Sequence, residues 1–247
     1  MEKRFKIELS SFALHILAMA LMLCDHIWGT LVTDGHQWLT AVGRLTFPIY
    51  AFLIAEGYFR TRSVKKYAKR LLIFALISEI PFNLMTGGAV FNITHQNVLF
   101  TLLLGLLLIH LNEKGKEKKL WARILIGVGT TALGLMAGYI LMLDYYGVGV
   151  VTVLVFYFLR KRAWWSCILQ VALLWFLNTQ MLGGLGTNVT LFGHEFFIVY
   201  QGLALFSLIP IWMYRGKKGH SSKAFKYFCY AFYPAHMLVL YLINVLL

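Results

Sequence analysis

Asp25 and His26 stand side by side, and Arg44, Glu79, Asp144 and His236 follow, each set in or at the end of a stretch that is otherwise almost wholly apolar. A histidine can take a proton from an amine or hydroxyl while a carboxylate orients it, and an arginine can stabilise the oxyanion that develops on a carbonyl. That set suits acyl transfer. It suits a proton relay equally, because Asp, His and Arg side chains in series are also how pumps and transporters pass protons. Gln96, Asn97 and Tyr233 lie at matching positions and would line the walls of the same site.

Apolar stretches must hold these groups. The chain has 247 residues, of which 60% are hydrophobic and 13% charged, and its mean hydropathy is +0.70. A soluble domain carries about 25% charge, so a water-soluble globule is excluded. Nine apolar stretches lie near residues 11–32, 38–59, 67–84, 97–111, 120–143, 145–159, 164–182, 196–214 and 228–247. At about 20 residues per span, little remains for a soluble domain. Lipid offers the backbone no hydrogen-bond partner, and the runs lack period-2 alternation, which selects helices over a barrel. The expected fold class is all-α: one polytopic membrane domain, 1–247, with about nine helices. Met1 to Cys24 mimics a signal peptide, but no small-residue cleavage site follows, so it reads as the first uncleaved span.

A net charge of +13 would suggest nucleic acid in a soluble protein. Here the positions of the charges explain it. Of the 23 lysines and arginines, all but Arg44 fall at Lys3–Lys6, Arg60–Arg70, Lys114–Arg123, Arg160–Arg162 and Arg215–Lys226. The alternate loops, near 33–37, 85–96, 144 and 183–195, hold none. This is the positive-inside pattern, and it predicts the amino terminus in the cytoplasm and the carboxyl terminus outside. The lipid bilayer is the implied partner, nucleic acid is not, and a bacterial plasma membrane is the expected location. Cys24, Cys167 and Cys229 lie inside apolar runs, which gives no disulfide framework.

Arg44, the exception, sits about six residues into the second span from the outer side. An intramembrane charge costs at least about 2.5 to 3.5 kcal/mol at a helix centre, so it faces the interior and pairs. Asp25, His26, Glu79 and Asp144 lie at matching depth, and Gln96 and Asn97 open the fourth span from the same side. Pro48 and Pro81 predict kinks beside Arg44 and Glu79, and freed carbonyls inside a membrane are tolerated at a wet cavity. His15 reads as a packed, hydrogen-bonded residue, three helical turns and roughly 16 Å from His26. Glu56 reads as the partner of Arg60 at i+4. Gly134 and Gly138 fit close helix packing.

No Walker A loop, G-x-G-x-x-G turn, H-E-x-x-H helix or C-x-x-C pair occurs, which argues against nucleotide hydrolysis, dinucleotide redox and a zinc protease; no metal is expected. Three readings remain: a membrane acyltransferase, a proton-coupled transporter or flippase using the same outer cluster, and a structural membrane subunit.

The sequence also resembles the TraX family of membrane acetyltransferases. The likeness is carried by Asp25-His26-Ile27, by Gly43-Arg44-Leu45-Thr46-Phe47-Pro48 through Phe52-Leu53-Ile54-Ala55-Glu56-Gly57, and by Leu72 to Phe82 with Ser78-Glu79-Ile80-Pro81. Gln96-Asn97-Val98, Asp144-Tyr145-Tyr146-Gly147-Val148 and Tyr233-Pro234-Ala235-His236 continue it. More distantly, the layout is similar to transmembrane acyltransferases that use cytosolic acyl-CoA. The resemblance implies a fold, acetyl-CoA as donor and acetyl transfer, and leaves the acceptor open; the expected acceptor is an amine or hydroxyl at the extracytoplasmic face, on a protein N-terminus, a glycan or a lipid headgroup. His26 would be the general base, Asp25 or Glu79 would orient it, and Arg44 would stabilise the oxyanion or hold a carboxylate. Gln96, Asn97, Asp144, Tyr233 and His236 would contact substrate.

Overall fold

A computed structural model describes residues 8–32, 35–191, 193–220 and 222–247. Lys3, Arg4 and Lys6, the first cluster of the charge pattern, lie outside the described residues. The chain forms α1 (Ser11–Leu31), α2 (Trp38–Gly43), α3 (Thr46–Arg60), α4 (Val64–Gly87), α5 (Val98–Lys114), α6 (Leu120–Ile140) and α7 (Tyr146–Phe158). Then come α8 (Trp164–Trp175), prolonged by a π-helical turn at Phe176–Leu182, and a hairpin of β1 (Gly186–Leu191) and β2 (His194–Val199). A 3₁₀ segment, Tyr200–Ser207, leads into α9 (Leu208–Met213), and α10 (Lys223–Leu246) closes the chain.

Among the described residues, six helical segments are long and apolar enough to cross a membrane: Ser11–Leu31, Trp38–Arg60, Val64–Gly87, Leu120–Ile140, Trp164–Leu182 and Lys223–Leu246. The protein is thus an α-helical, multi-pass protein of the cell membrane. Helices also occupy the other expected stretches but are shorter: α5 has 17 residues and α7 has 13. The stretch expected as a span at 196–214 is not one continuous helix. It begins in β2, passes through the 3₁₀ segment and reaches α-helix only at Leu208. Phe196-Phe197-Ile198-Val199 is a short apolar run, which composition alone does not assign to strand or helix.

α3 and α7 pack together at the centre, α5 and α6 close on α7, and α1, α4 and α10 form a second group joined to α3 through α1. Their buried faces are Ile49, Leu53 and Ile54 of α3 and Val148, Val150, Val153 and Phe156 of α7. Gly138 lets α6 lie on the first turn of α7, since a Cβ there would come within 2.7 Å of the Tyr146 carbonyl carbon. Small residues at such crossings let helices approach through van der Waals packing, which drives association in lipid.

The prolines occupy two kinds of position. The second stretch is broken by a turn at Arg44 and Leu45, between α2 and α3, and Pro48 sits in the first turn of α3, where no N–H is required. Pro81 and Pro234 lie inside continuous helices, α4 and α10. Glu56 does accept from Arg60, at 3.3 Å, but it also accepts from Arg160 at 2.7 Å, tying α3 to the chain just after α7.

Candidate functional site

The break at Arg44 has a local cause. Gly43 ends α2 against α1, where an added Cβ would lie 2.7 Å from Asp25 Cγ. This close approach lets the Asp25 carboxylate accept from Thr40 Oγ1 at 2.7 Å and from Arg44 Nη2 at 3.1 Å. Arg44 Nη2 also bonds the Thr40 hydroxyl, and Thr40 is fully buried. The phenol of Tyr145, at the start of α7, faces the same guanidinium.

His26, the next residue of α1, belongs to a different contact. Its Nδ1 lies 2.7 Å from His236 Nε2 of α10, with the two rings stacked 10° from parallel. His236 Nδ1 in turn lies 2.6 Å from the Phe232 carbonyl oxygen. A carbonyl only accepts, so His236 Nδ1 carries a proton, and in the neutral pair His236 Nε2 accepts from His26 Nδ1–H. His26 Nε2 is left with its lone pair free. The hydrogen-bond partner of His26 is therefore His236, where Asp25 or Glu79 was expected. Asp25 is committed to Arg44 and Thr40.

Glu79 of α4 meets Asn97, whose Nδ2 donates to Glu79 Oε2 at 2.5 Å and to the Ala75 carbonyl at 2.9 Å. Asn97 Oδ1 caps α5 by accepting from Leu99 N at 3.1 Å. One side chain thus ends a helix and fixes a carboxylate. Gln96 differs from expectation: its amide turns to the carbonyls of Asn92 and Ile93 in the loop, and its contribution is backbone. Gln96 N donates to Met142 O and Gln96 O accepts from Asp144 N, a bridge that draws the start of α5 to the start of α7.

That bridge brings in a residue missed in the sequence. His95 Nε2 lies 3.3 Å from Asp144 Oδ1, which also accepts from Tyr145 N at 3.0 Å. His95 lies in the loop outside the helices, and the hydrogen bond to Asp144 raises its pKa above the usual value near 6.5, against the opposing effect of burial. A group whose pKa is raised on folding stabilises fully below its unfolded value and loses that contribution as pH rises through the folded value. His95 therefore contributes stability that is lost as pH rises above the unfolded value of about 6.5, and His95→Gln should remove that loss from the slope of melting temperature against pH in detergent. An unchanged slope in the variant would remove His95 from the explanation.

A cavity of about 820 Å³ leads toward this cluster from the basic end of the bundle. Arg60, Arg62, Arg70, Lys218, Lys223 and Lys226 lie on its wall, and deeper in it is lined by Leu53, Ile54, Leu71, Leu102 and Tyr233. The Tyr233 ring is 6.5 Å from that of His26 and 6.0 Å from that of His236, centre to centre. His15 lines the cavity as well as being packed: its Nδ1 donates to the Ser11 carbonyl at 2.6 Å. Among the described residues, Arg70 Nε is buried there without a hydrogen-bond partner. Among the described residues, no group of three or more His, Cys, Asp or Glu could hold a metal ion.

A multi-pass helical protein with a basic-mouthed cavity whose wall includes Tyr233, beside the His26–His236 pair, is the class these features define. The family model "TraX protein" matches residues 10–244, and the chain belongs to the TraX family. It is also 30% identical over 246 residues, 95% of each chain, to "Probable fimbrial assembly protein FimC, serogroup H1" of Dichelobacter nodosus. No solved structure matches it.

Proposed function

We propose that this protein is an acetyltransferase that moves an acetyl group from cytosolic acetyl-CoA to an amine or hydroxyl at the extracytoplasmic face. The observation that carries the reading is the cavity. Its cationic wall offers partners for the phosphates of the donor, its apolar depth suits the less polar arm that bears the thioester, and its inner wall adjoins the His26 and His236 rings. The unpartnered Arg70 Nε fits an anionic guest. In this reading the chain crosses the membrane nine times with the amino terminus inside, and the short α5, α7 and the 3₁₀–α9 segment supply three of the crossings. Similarity to a probable fimbrial assembly protein agrees with a protein acceptor at the cell surface.

The residues divide the work. His26 Nε2 takes the proton from the acceptor amine or hydroxyl as its nitrogen or oxygen bonds to the thioester carbonyl carbon. Arg44, held in place by Asp25 and Thr40, stabilises the oxyanion. When the carbon–sulfur bond breaks, the proton on His26 goes to the leaving thiolate. His236 fixes the tautomer that makes His26 Nε2 the base, and Glu79 with Asn97 and Asp144 with His95 shape the outer wall.

Purified protein in detergent, given acetyl-CoA and an amine-bearing acceptor mixture from the cell surface, should release free thiol with no membrane gradient. A proton-coupled transporter would release none and would show pH-linked flux in sealed vesicles. That outcome would overturn the reading.

A further inference from the structure

A second groove, of about 850 Å³, lies apart from the histidine cluster between α6 and the basic ends of α5 and α7. Leu120, Ile124, Val128 and Leu135, spaced along one face of α6, form its apolar wall. Leu120, Ile124 and Val128 are 69%, 56% and 63% exposed. From Leu120 to Leu135 the face runs roughly 22 Å, longer than the roughly 15 Å of one leaflet's hydrocarbon.

The other end of the groove is cationic. Lys116, Arg123, Arg160 and Lys161 line it against one acid, Glu113. Both Glu113 oxygens are engaged, by Tyr157 Oη at 3.0 Å and by Lys116 Nζ at 3.6 Å. Arg160 is committed to Glu56 and lies over the Phe59 ring. Among the described residues neither Arg123 nor Lys161 has an ion pair. α6 begins at this same end with no side-chain cap and no acid in its first turn, behind Lys119. The positive end of the helix dipole thus meets a set of lysines and arginines, an arrangement that an anion relieves.

We propose that this groove holds one anionic glycerophospholipid, its phosphate between Lys116, Arg123 and Lys161 and one acyl chain along Leu120, Ile124 and Val128. Apolar length and positive charge together distinguish it from a site for a free anion, which needs no apolar wall, and from ordinary lipid contact, which needs no charge. Basic pockets between membrane helices recognise lipid headgroups in this way.

The test uses the full-length protein in neutral detergent, observed by native mass spectrometry with phosphatidylglycerol and phosphatidylcholine of identical chains as probes. Phosphatidylglycerol should be retained as a single adduct in preference to phosphatidylcholine. Arg123→Gln combined with Lys161→Gln should weaken retention on the order of thirtyfold, from about 1 kcal/mol for each cation. Val128→Trp keeps every cation and fills the apolar wall, so it should also lose the lipid, provided its melting profile matches wild type. Equal retention of the two lipids, wild-type retention in the double variant, or displacement of the lipid by inorganic phosphate alone would overturn the proposal.

Discussion

His26→Ala is expected to lower acetyl transfer by about 10²- to 10⁴-fold, the usual value of a general base, while leaving the protein folded. The imidazole makes one hydrogen bond, to His236, and its loss leaves His236 bonded to the Phe232 carbonyl. The loss should therefore fall on kcat, since His26 is not on the cavity wall where the donor would sit. The free-thiol assay reads turnover directly, and a melting curve in the same detergent reads the fold. Wild-type turnover in His26→Ala would remove the general-base assignment, and with it the role given to His236.

Asp25→Ala carries the other large expected effect, on stability. Asp25 accepts from both Arg44 and Thr40, and the side chains of Arg44 and Asp25 are only 24% and 18% exposed. Removing the carboxylate strands a guanidinium within the bundle. Breaking such a pair from one side costs about 3 kcal/mol or more, whereas replacing both partners by apolar groups is often nearly neutral. Asp25→Leu combined with Arg44→Met should therefore melt well above Asp25→Ala yet transfer no acetyl. A double variant that recovers turnover as well as stability would reduce Arg44 to a structural partner.

Much of the architecture was legible because lipid imposes a simple rule: apolar runs near 20 residues become helices, and cations collect at one side of them. Arg44 stood out for that reason, and depth along the spans offered Asp25 as a partner only together with His26, Glu79 and Asp144. The hairpin at Gly186–Val199 escaped the same rule. The apolar run in β2 is only a few residues long, and strand pairing with β1 depends on contacts that composition does not encode. The histidine pair was legible only as two separate residues. His26 and His236 are 210 positions apart, and nothing local to either says which ring or carboxylate the other meets. His95 carries no local signal although it precedes Gln96-Asn97, because its partner Asp144 arrives through a backbone bridge between distant segments.

The proposed reaction carries an acetyl group from one side of the membrane to the other. It is tested most directly in sealed proteoliposomes of uniform orientation, fixed by protease access to a carboxyl-terminal tag, with radiolabelled acetyl-CoA supplied only at the face bearing Arg60, Arg62 and Lys218. Label bound covalently to an amine or hydroxyl acceptor confined to the opposite compartment is the predicted result, and it should vanish in His26→Ala. Label recovered there only as intact acetyl-CoA or free acetate, or at equal level with His26→Ala, would contradict it.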